Sequence, residues 1–147
     1  MKYKITSLTL IILLMLFGCK SGIKDKYNSI CTISHGEMLI EYNLFSDDLK
    51  KNVSYLLLKM ELPYEYFGII DKNNITDESV SLIKDKIKKE FSDIDSFDIE
   101  FDYTIKIKLI VKNSKEITPY ISDFDKILTF DEAIESLEKK GARCVNN

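Results

Sequence analysis

Several residue types are scarce in this chain, and each scarcity argues against a class of protein. The 147 residues include five glycines and two prolines and show no internal repeat, which excludes a low-complexity linker and a solenoid array. None of the glycines belongs to a phosphate-cradling loop. The single histidine, His35, and the absence of a Cys-x-x-Cys pair leave no zinc-site pattern. The sequence therefore predicts neither a metal site nor a cofactor.

An excess of one charge sign is also missing. The chain has 21 lysines and arginines and 24 aspartates and glutamates, a net charge of −3, so no basic field attracts nucleic acid phosphates. The composition is 45% hydrophobic and 31% charged, which is typical of a globular domain. We therefore expect one domain with its own core and no nucleic acid partner.

The N-terminal apolar run is too short for a standard bilayer span. It covers residues 5–17, whereas a spanning helix needs about 20 apolar residues. Lys2 and Lys4 precede the run, an arrangement typical of a signal peptide, with a permanent transmembrane helix as the alternative. The following Leu16-Phe17-Gly18-Cys19 resembles the bacterial lipobox, in which signal peptidase cuts before a cysteine that carries diacylglycerol. We expect Cys19 to be lipidated.

These features divide the chain into three parts. Residues 1–18 form the predicted signal peptide, residues 19–28 the lipidated cysteine and a polar tether, and residues 29–147 a single domain. Two or three acyl chains hold a protein on a membrane more stably than one myristoyl group does. We therefore expect an extracytoplasmic protein, anchored through its N-terminal lipid to the cell membrane or the outer membrane of a bacterium.

The two other cysteines lie near opposite ends of the predicted domain. With Cys19 lipidated, Cys31 and Cys144 remain, in a compartment where disulfides persist. We predict a disulfide between them, with two free buried thiols as the alternative.

Alternation of apolar and polar residues predicts the strands. Residues 27–45 alternate except at His35 and Gly36, which indicates a hairpin. Residues 53–62 form an apolar run that ends at a proline, and we interpret it as a third strand, with a helix as the alternative. Residues 97–111 alternate without interruption, which predicts one long strand with a bend or bulge.

Two segments carry helix signals. Residues 77–91 place apolar side chains at spacings of three and four after Thr76, a residue suited to the N-cap. Thr129 and Glu132 form a capping box before a second apolar stripe that ends near Gly141. The predicted fold class is α+β: an antiparallel sheet of about four to five strands with two helices packed on one face.

The paired cysteines, the long alternating run and the C-terminal segment LTFDEAIESLEKKGARC (residues 128–144) resemble the YehR-like lipoproteins of bacteria. The resemblance extends over most of residues 27–146. It implies a small α+β domain on a lipid tether, and the family has no established biochemical activity. A polar turn usually splits the strands after the middle helix in that family, whereas the alternation here is unbroken.

No arrangement of nucleophile, base and orienting group is evident in the sequence. We therefore expect a non-catalytic interaction or binding module rather than an enzyme. Tyr64, Tyr66 and Phe67 follow Pro63 in a predicted loop, and exposed aromatic side chains dominate interface energetics. These three residues are the candidate contact surface for an envelope protein partner, with core packing as the alternative.

Two other functions remain open at this point. Asp98, Glu100 and Asp102 are spaced to form a row on one strand face, as a hydrolase acting through paired carboxylates would require. A lysozyme-inhibitor-like protein is suggested only by size, acidity and location. Nothing in the sequence specifies the ligand or the oligomeric state.

Overall fold

In the part of the chain that the structure describes, six strands form one antiparallel sheet. The computed structural model of the chain describes residues 26–69, 75–91, 94, 96–123 and 126–147, so the predicted signal peptide and Cys19 lie outside the described residues. The strand order is β4-β5-β3-β2-β1-β6, and every neighbouring pair is antiparallel. The strands are β1 (Tyr27–His35), β2 (Met38–Ser46), β3 (Tyr55–Leu62), β4 (Ser96–Phe101), β5 (Ile105–Val111) and β6 (Arg143–Asn146).

The first three strands form a meander. His35 pairs with Met38, so Gly36 and Glu37 make the tight turn of the predicted hairpin, and Gly36 has a positive φ of 59°. β3 pairs with β2, which confirms the third strand and excludes the helical alternative for that run. β1 begins at Tyr27, two residues before the predicted start of the domain.

The long alternating run is two strands, not one. β4 and β5 pair with each other and are joined by a turn in which the Asp102 amide donates to the carbonyl of Thr104 at 3.1 Å. Phe101 and Ile105 are register partners and face the same side of the sheet. The three-residue turn therefore preserves the period of two, so alternation alone does not reveal the chain reversal. The prediction of a single bent strand is wrong.

Among the described residues, three helices accompany the sheet, one more than predicted. They are α1 (Asp77–Glu90), α2 (Ser114–Ile121) and α3 (Phe130–Lys139). The α1 helix starts at the predicted N-cap, Thr76, whose side chain accepts from the Ser79 amide. The unpredicted helix, α2, is short and contains Pro119, a residue that normally argues against a helix interior. Its sequence signal is Asn113, whose side chain caps the first turn.

The predicted capping box of α3 is confirmed. The Thr129 hydroxyl accepts from the Glu132 amide at 3.3 Å, and a Glu132 carboxylate oxygen accepts from the Thr129 amide at 3.0 Å. At the other end, Gly141 has φ 91° and its amide donates to Glu138. Within the part of the chain that the structure describes, no helix combines the length and apolarity needed to cross a bilayer.

One face of the sheet forms the core with the helices. Alternate residues of the strands are buried on this inner face and belong to the same apolar cluster as the helix residues. The strands contribute, among others, Leu44, Leu56, Leu58, Ile105 and Leu109, and the helices contribute Ile83, Ile87, Ile117, Ile121, Phe130, Ala133 and Leu137. The other face, which we name the open face, has no described helix packed on it.

The sheet has two ends, which matter for function. At the near end, β1 starts at Tyr27, next to the end of β2 and the start of β3. At the far end lie the β1–β2 turn, the segment after β3 and the β4–β5 turn. Because β1 has nine residues, the two ends are about 30 Å apart.

Stability should depend on pH through Glu132. A hydrogen bond from Lys126 (Nζ to Oε1, 2.6 Å), assisted by the Thr129 amide, lowers the pKa of Glu132 to about 2. A carboxylate with a depressed pKa stabilises the fold above its unfolded pKa, and this stabilisation disappears as pH falls towards about 2. We expect Glu132→Gln to unfold at lower urea concentration than the parent at pH 7.

The difference between Glu132→Gln and the parent should disappear near pH 2 in urea unfolding curves recorded at low salt, because salt screens exposed ion pairs. A difference that stays constant from neutral to acidic pH would show that the carboxylate charge plays no part.

Candidate functional site

The predicted contact residues lie in a 3-10 helical turn, Tyr64–Phe67, directly after β3. Tyr64 is only 2% exposed, and its hydroxyl donates to the carbonyl of Asp102 at 2.9 Å. Burial, together with the Asp102 carboxylate, raises the pKa of Tyr64. The side chain of Tyr64 is therefore part of the core and does not offer a contact surface. The prediction that Tyr64 belongs to the contact surface is corrected, and the core-packing alternative holds for this residue.

The other two aromatic residues of the turn are accessible. Tyr66 is 66% exposed and meets the half-buried Phe67 edge to face, with ring centroids 5.3 Å apart. The Lys86 ammonium lies 6.0 Å from the centroid of the Phe67 ring. Phe67 is thus held in place by its neighbours, whereas most of the Tyr66 ring faces water.

A further exposed aromatic residue, which the sequence analysis missed, lies beside them. Tyr103 occupies the β4–β5 turn and is 84% exposed. The hydrogen bond between Tyr64 and Asp102 joins this turn to the 3-10 turn. We name Tyr66, Phe67 and Tyr103 the aromatic end, because all three lie at the far end of the sheet. An ion pair between Asp102 and Lys106, 3.6 Å apart, borders it.

The open face is charged in its half towards the far end. Asp98 pairs in register with Lys108, and Glu100 with Lys106. On the next strand, Lys59 and Glu61 pair with the same two lysines. These six side chains line a shallow pocket of about 190 Å³ and define the charged half.

One carboxylate links this charged half to β2. Glu41 accepts from Lys59 at 2.7 Å and from the Asn43 amide group at 2.8 Å. The hydrogen bond from Lys59, followed by that from Asn43, lowers the pKa of Glu41. The arrangement holds the Lys59 ammonium against Glu41, between β3 and β2.

The predicted row of three carboxylates does not form. Asp98 and Glu100 are on the open face of β4, whereas Asp102 lies in the turn and pairs with Lys106. His35 lies at the exposed end of β1. In the described ranges, no three histidine, cysteine or acidic side chains are grouped as a metal site would require.

The half of the open face towards the near end is mainly apolar. Its apolar members share two adjacent rows of the sheet, and we name them the apolar half: Ile30, Phe45, Tyr55, Leu57, Ile110 and Val145. Phe45 and Tyr55 meet edge to face at 5.1 Å. Val145 is 62% exposed, and the other five are half-buried. A buried Asn43 in the same row donates to Glu41 and to the carbonyl of Leu57.

The two cysteines of the domain face each other across β1 and β6. Cys31 and Cys144 are register partners, and their sulfur atoms lie 2.05 Å apart, at disulfide-bonding distance. Cys31 is fully buried. A disulfide here joins the short edge strand β6 to β1 and closes a loop between two residues that are 113 positions apart in the sequence.

Comparisons with protein-family models, curated proteins and solved structures find no match to this chain.

Substitutions in the 3-10 turn should separate core from surface. Tyr64→Phe removes one hydroxyl and leaves the Asp102 carbonyl without that donor, so we expect a loss of about 1 kcal/mol in the free energy of unfolding. Tyr66→Ala should change stability by less than about 0.5 kcal/mol, because the side chain is exposed. Urea unfolding of both variants measures these values; equal losses would mean that Tyr66 is also a core residue.

The cysteine pair should contribute strongly to stability. In the chain-entropy model, a cross-link that closes a loop of this length stabilises by about 4 to 5 kcal/mol. We expect reduction to lower the urea midpoint of the parent chain markedly. The variant with both Cys31→Ala and Cys144→Ala serves as the control, because a reductant should leave its midpoint unchanged. A parent chain that is insensitive to reductant would contradict the bond.

Proposed function

We propose that this chain is a lipid-anchored, extracytoplasmic binding module of the bacterial envelope, without catalytic activity, whose partner contacts the aromatic end. The lipobox-like Leu16-Phe17-Gly18-Cys19, the position of the cysteine pair and the resemblance to the YehR-like lipoproteins support the anchor and the compartment.

The observation that carries the proposal is where the exposed aromatic side chains lie relative to the anchor. Cys19 is eight residues before Tyr27, so an acyl group on Cys19 lies within about 28 Å of the near end of the sheet. Tyr66 and Tyr103 lie at the far end, about 30 Å further along β1. The far end is therefore the part of the sheet that can lie furthest from the anchor, where another molecule can reach it.

The chemistry of the aromatic end suits a protein partner. Tyrosine is enriched in interface hot spots because its ring buries a large apolar area while its hydroxyl still forms hydrogen bonds. Asp102 and Lys106 add a polar border, as at the rim of protein interfaces. Phe67 is already ordered by Tyr66 and Lys86, which reduces the entropy lost on binding.

The two alternative functions have less support. A hydrolase would use acids such as Asp98 and Asp102, but Asp98 lies on a strand opposite Lys108, whereas Asp102 lies in the β4–β5 turn and pairs with Lys106. The remaining strand acids lie opposite lysines in a shallow pocket. A lysozyme-inhibitor-like function is still suggested only by size, acidity and location.

Site-specific cross-linking in native envelopes tests the proposal. A photoreactive residue replaces Tyr66 or Tyr103 in turn, and the matched control replaces Leu82, which is also 66% exposed but lies on α1. We expect the same discrete cross-linked species from positions 66 and 103, because a partner that covers the aromatic end contacts both turns.

Position 82 should not give that species. The binding surface would be refuted if all three positions gave the same products, or if positions 66 and 103 gave none while the protein remained folded and membrane-bound.

A further inference from the structure

The open face is polarised along its strands. The row that begins with Asp98 runs through Lys108, Lys59 and Glu41. The next row towards the near end contains Ile110, Leu57, Ile30 and Val145, with Ser96 at its β4 end and the buried Asn43 between Leu57 and Ile30. Beyond it, Tyr55 and Phe45 form the last row with Asn28. The face therefore changes from charged to mainly apolar within one row spacing of the sheet.

The apolar half makes no contribution to the core. None of its six residues belongs to the buried cluster or to the partly buried residues packed against that cluster. A group of apolar side chains outside the core marks an interaction site, because leaving apolar area in water is unfavourable. The mean hydropathy of the whole chain is only −0.10, so this surface is not a consequence of general apolarity.

The position of the apolar half relative to the anchor identifies what covers it. It lies at the near end, where β1 starts, and Cys19 is eight residues before Tyr27. A tether of at most about 28 Å keeps this end close to the bilayer surface at all times. The bilayer is thus present at high effective concentration beside this surface.

The side chains also suit the boundary between lipid and water. Tyr55 and Phe45 are aromatic, and aromatic rings are enriched at that boundary in membrane proteins. Lys26, whose ammonium lies 5.5 Å from the Tyr27 ring, and Lys112, directly after β5, are placed to reach the headgroups with their amino groups.

We propose that the apolar half of the open face docks on the bilayer that holds the lipid anchor, while the charged half stays in water. This inference rests on the proposed lipidation of Cys19. The sheet is then inclined to the membrane, with the near end in contact and the aromatic end raised. Docking depends on apolar area rather than on charge, because Asp47 and Asp48 beside Lys50 and Lys51 give the near end both charge signs.

The absence of tryptophan allows a direct test. Two variants, Tyr55→Trp and Tyr103→Trp, are each purified from membranes, and their masses are measured. Each variant is then reconstituted in phosphatidylcholine vesicles that contain brominated acyl chains, which quench tryptophan fluorescence. Tyr103→Trp is the matched control, since it is the same substitution at the other end of the sheet. We expect several-fold stronger quenching, with a blue-shifted emission, for Tyr55→Trp.

A second probe guards against a disturbed fold. Val145→Trp lies on the exposed edge strand and displaces no packed ring, so it should be quenched like Tyr55→Trp. Because apolar area drives docking, adding anionic lipid or salt should leave the quenching of both probes nearly unchanged.

Four results would overturn the proposal. Equal quenching at positions 55 and 103 would mean that the domain has no fixed orientation. A blue shift without bromine quenching, together with a dimer in sedimentation, would mean that a second copy covers the face. An acylated chain whose near-end probes remain in water would refute docking alone, whereas a mass that shows no acyl group would refute both the anchor and the docking.

Discussion

The inner face of the sheet is the surface on which the whole domain depends. All three helices bury their apolar residues in the cluster that this face forms, and the largest fully buried side chains include Leu44, Leu56, Leu109 and Phe130. Burial of apolar area is the dominant favourable term in folding, and here it has a single location. Because the inner face buries the apolar area that stability requires, the open face can be charged in one half and apolar in the second half. The polarised open face and the exposed turns are therefore compatible with a stable fold.

Much of the fold could be predicted because local and tertiary preferences agree. The hairpin of β1 and β2 combines alternation with a glycine at the turn, and α3 combines a capping box with an apolar stripe and a glycine at its end. Two features escaped prediction for physical reasons. The β4–β5 turn keeps the period of two, and α2 contains Pro119, so propensity opposes a helix that Asn113 and the burial of Ile117 and Ile121 stabilise.

The candidate site was only partly predictable, because clustering in sequence does not specify the direction of a side chain. Tyr64 and Tyr66 are two residues apart, yet one is buried and bonded to Asp102 and the other faces water. Tyr103 was missed because alternation assigned it to the buried side of a strand. The polarised open face requires the register of all six strands, and single segments do not contain this information. The division of the open face into a charged half and an apolar half follows only from the strand order.

The placement of β6 has a mechanical consequence. β1 is hydrogen-bonded on both sides, to β2 and to β6, and Cys31 lies four residues from its start. A force applied to the chain before Tyr27 acts along β1, at right angles to the hydrogen bonds between the strands. These hydrogen bonds are therefore loaded together in shear and do not open one at a time. The bond to Cys144 would pass the same load to the C-terminal strand. A domain that is pulled by its N-terminus thus resists the force with a strand that is paired on both sides.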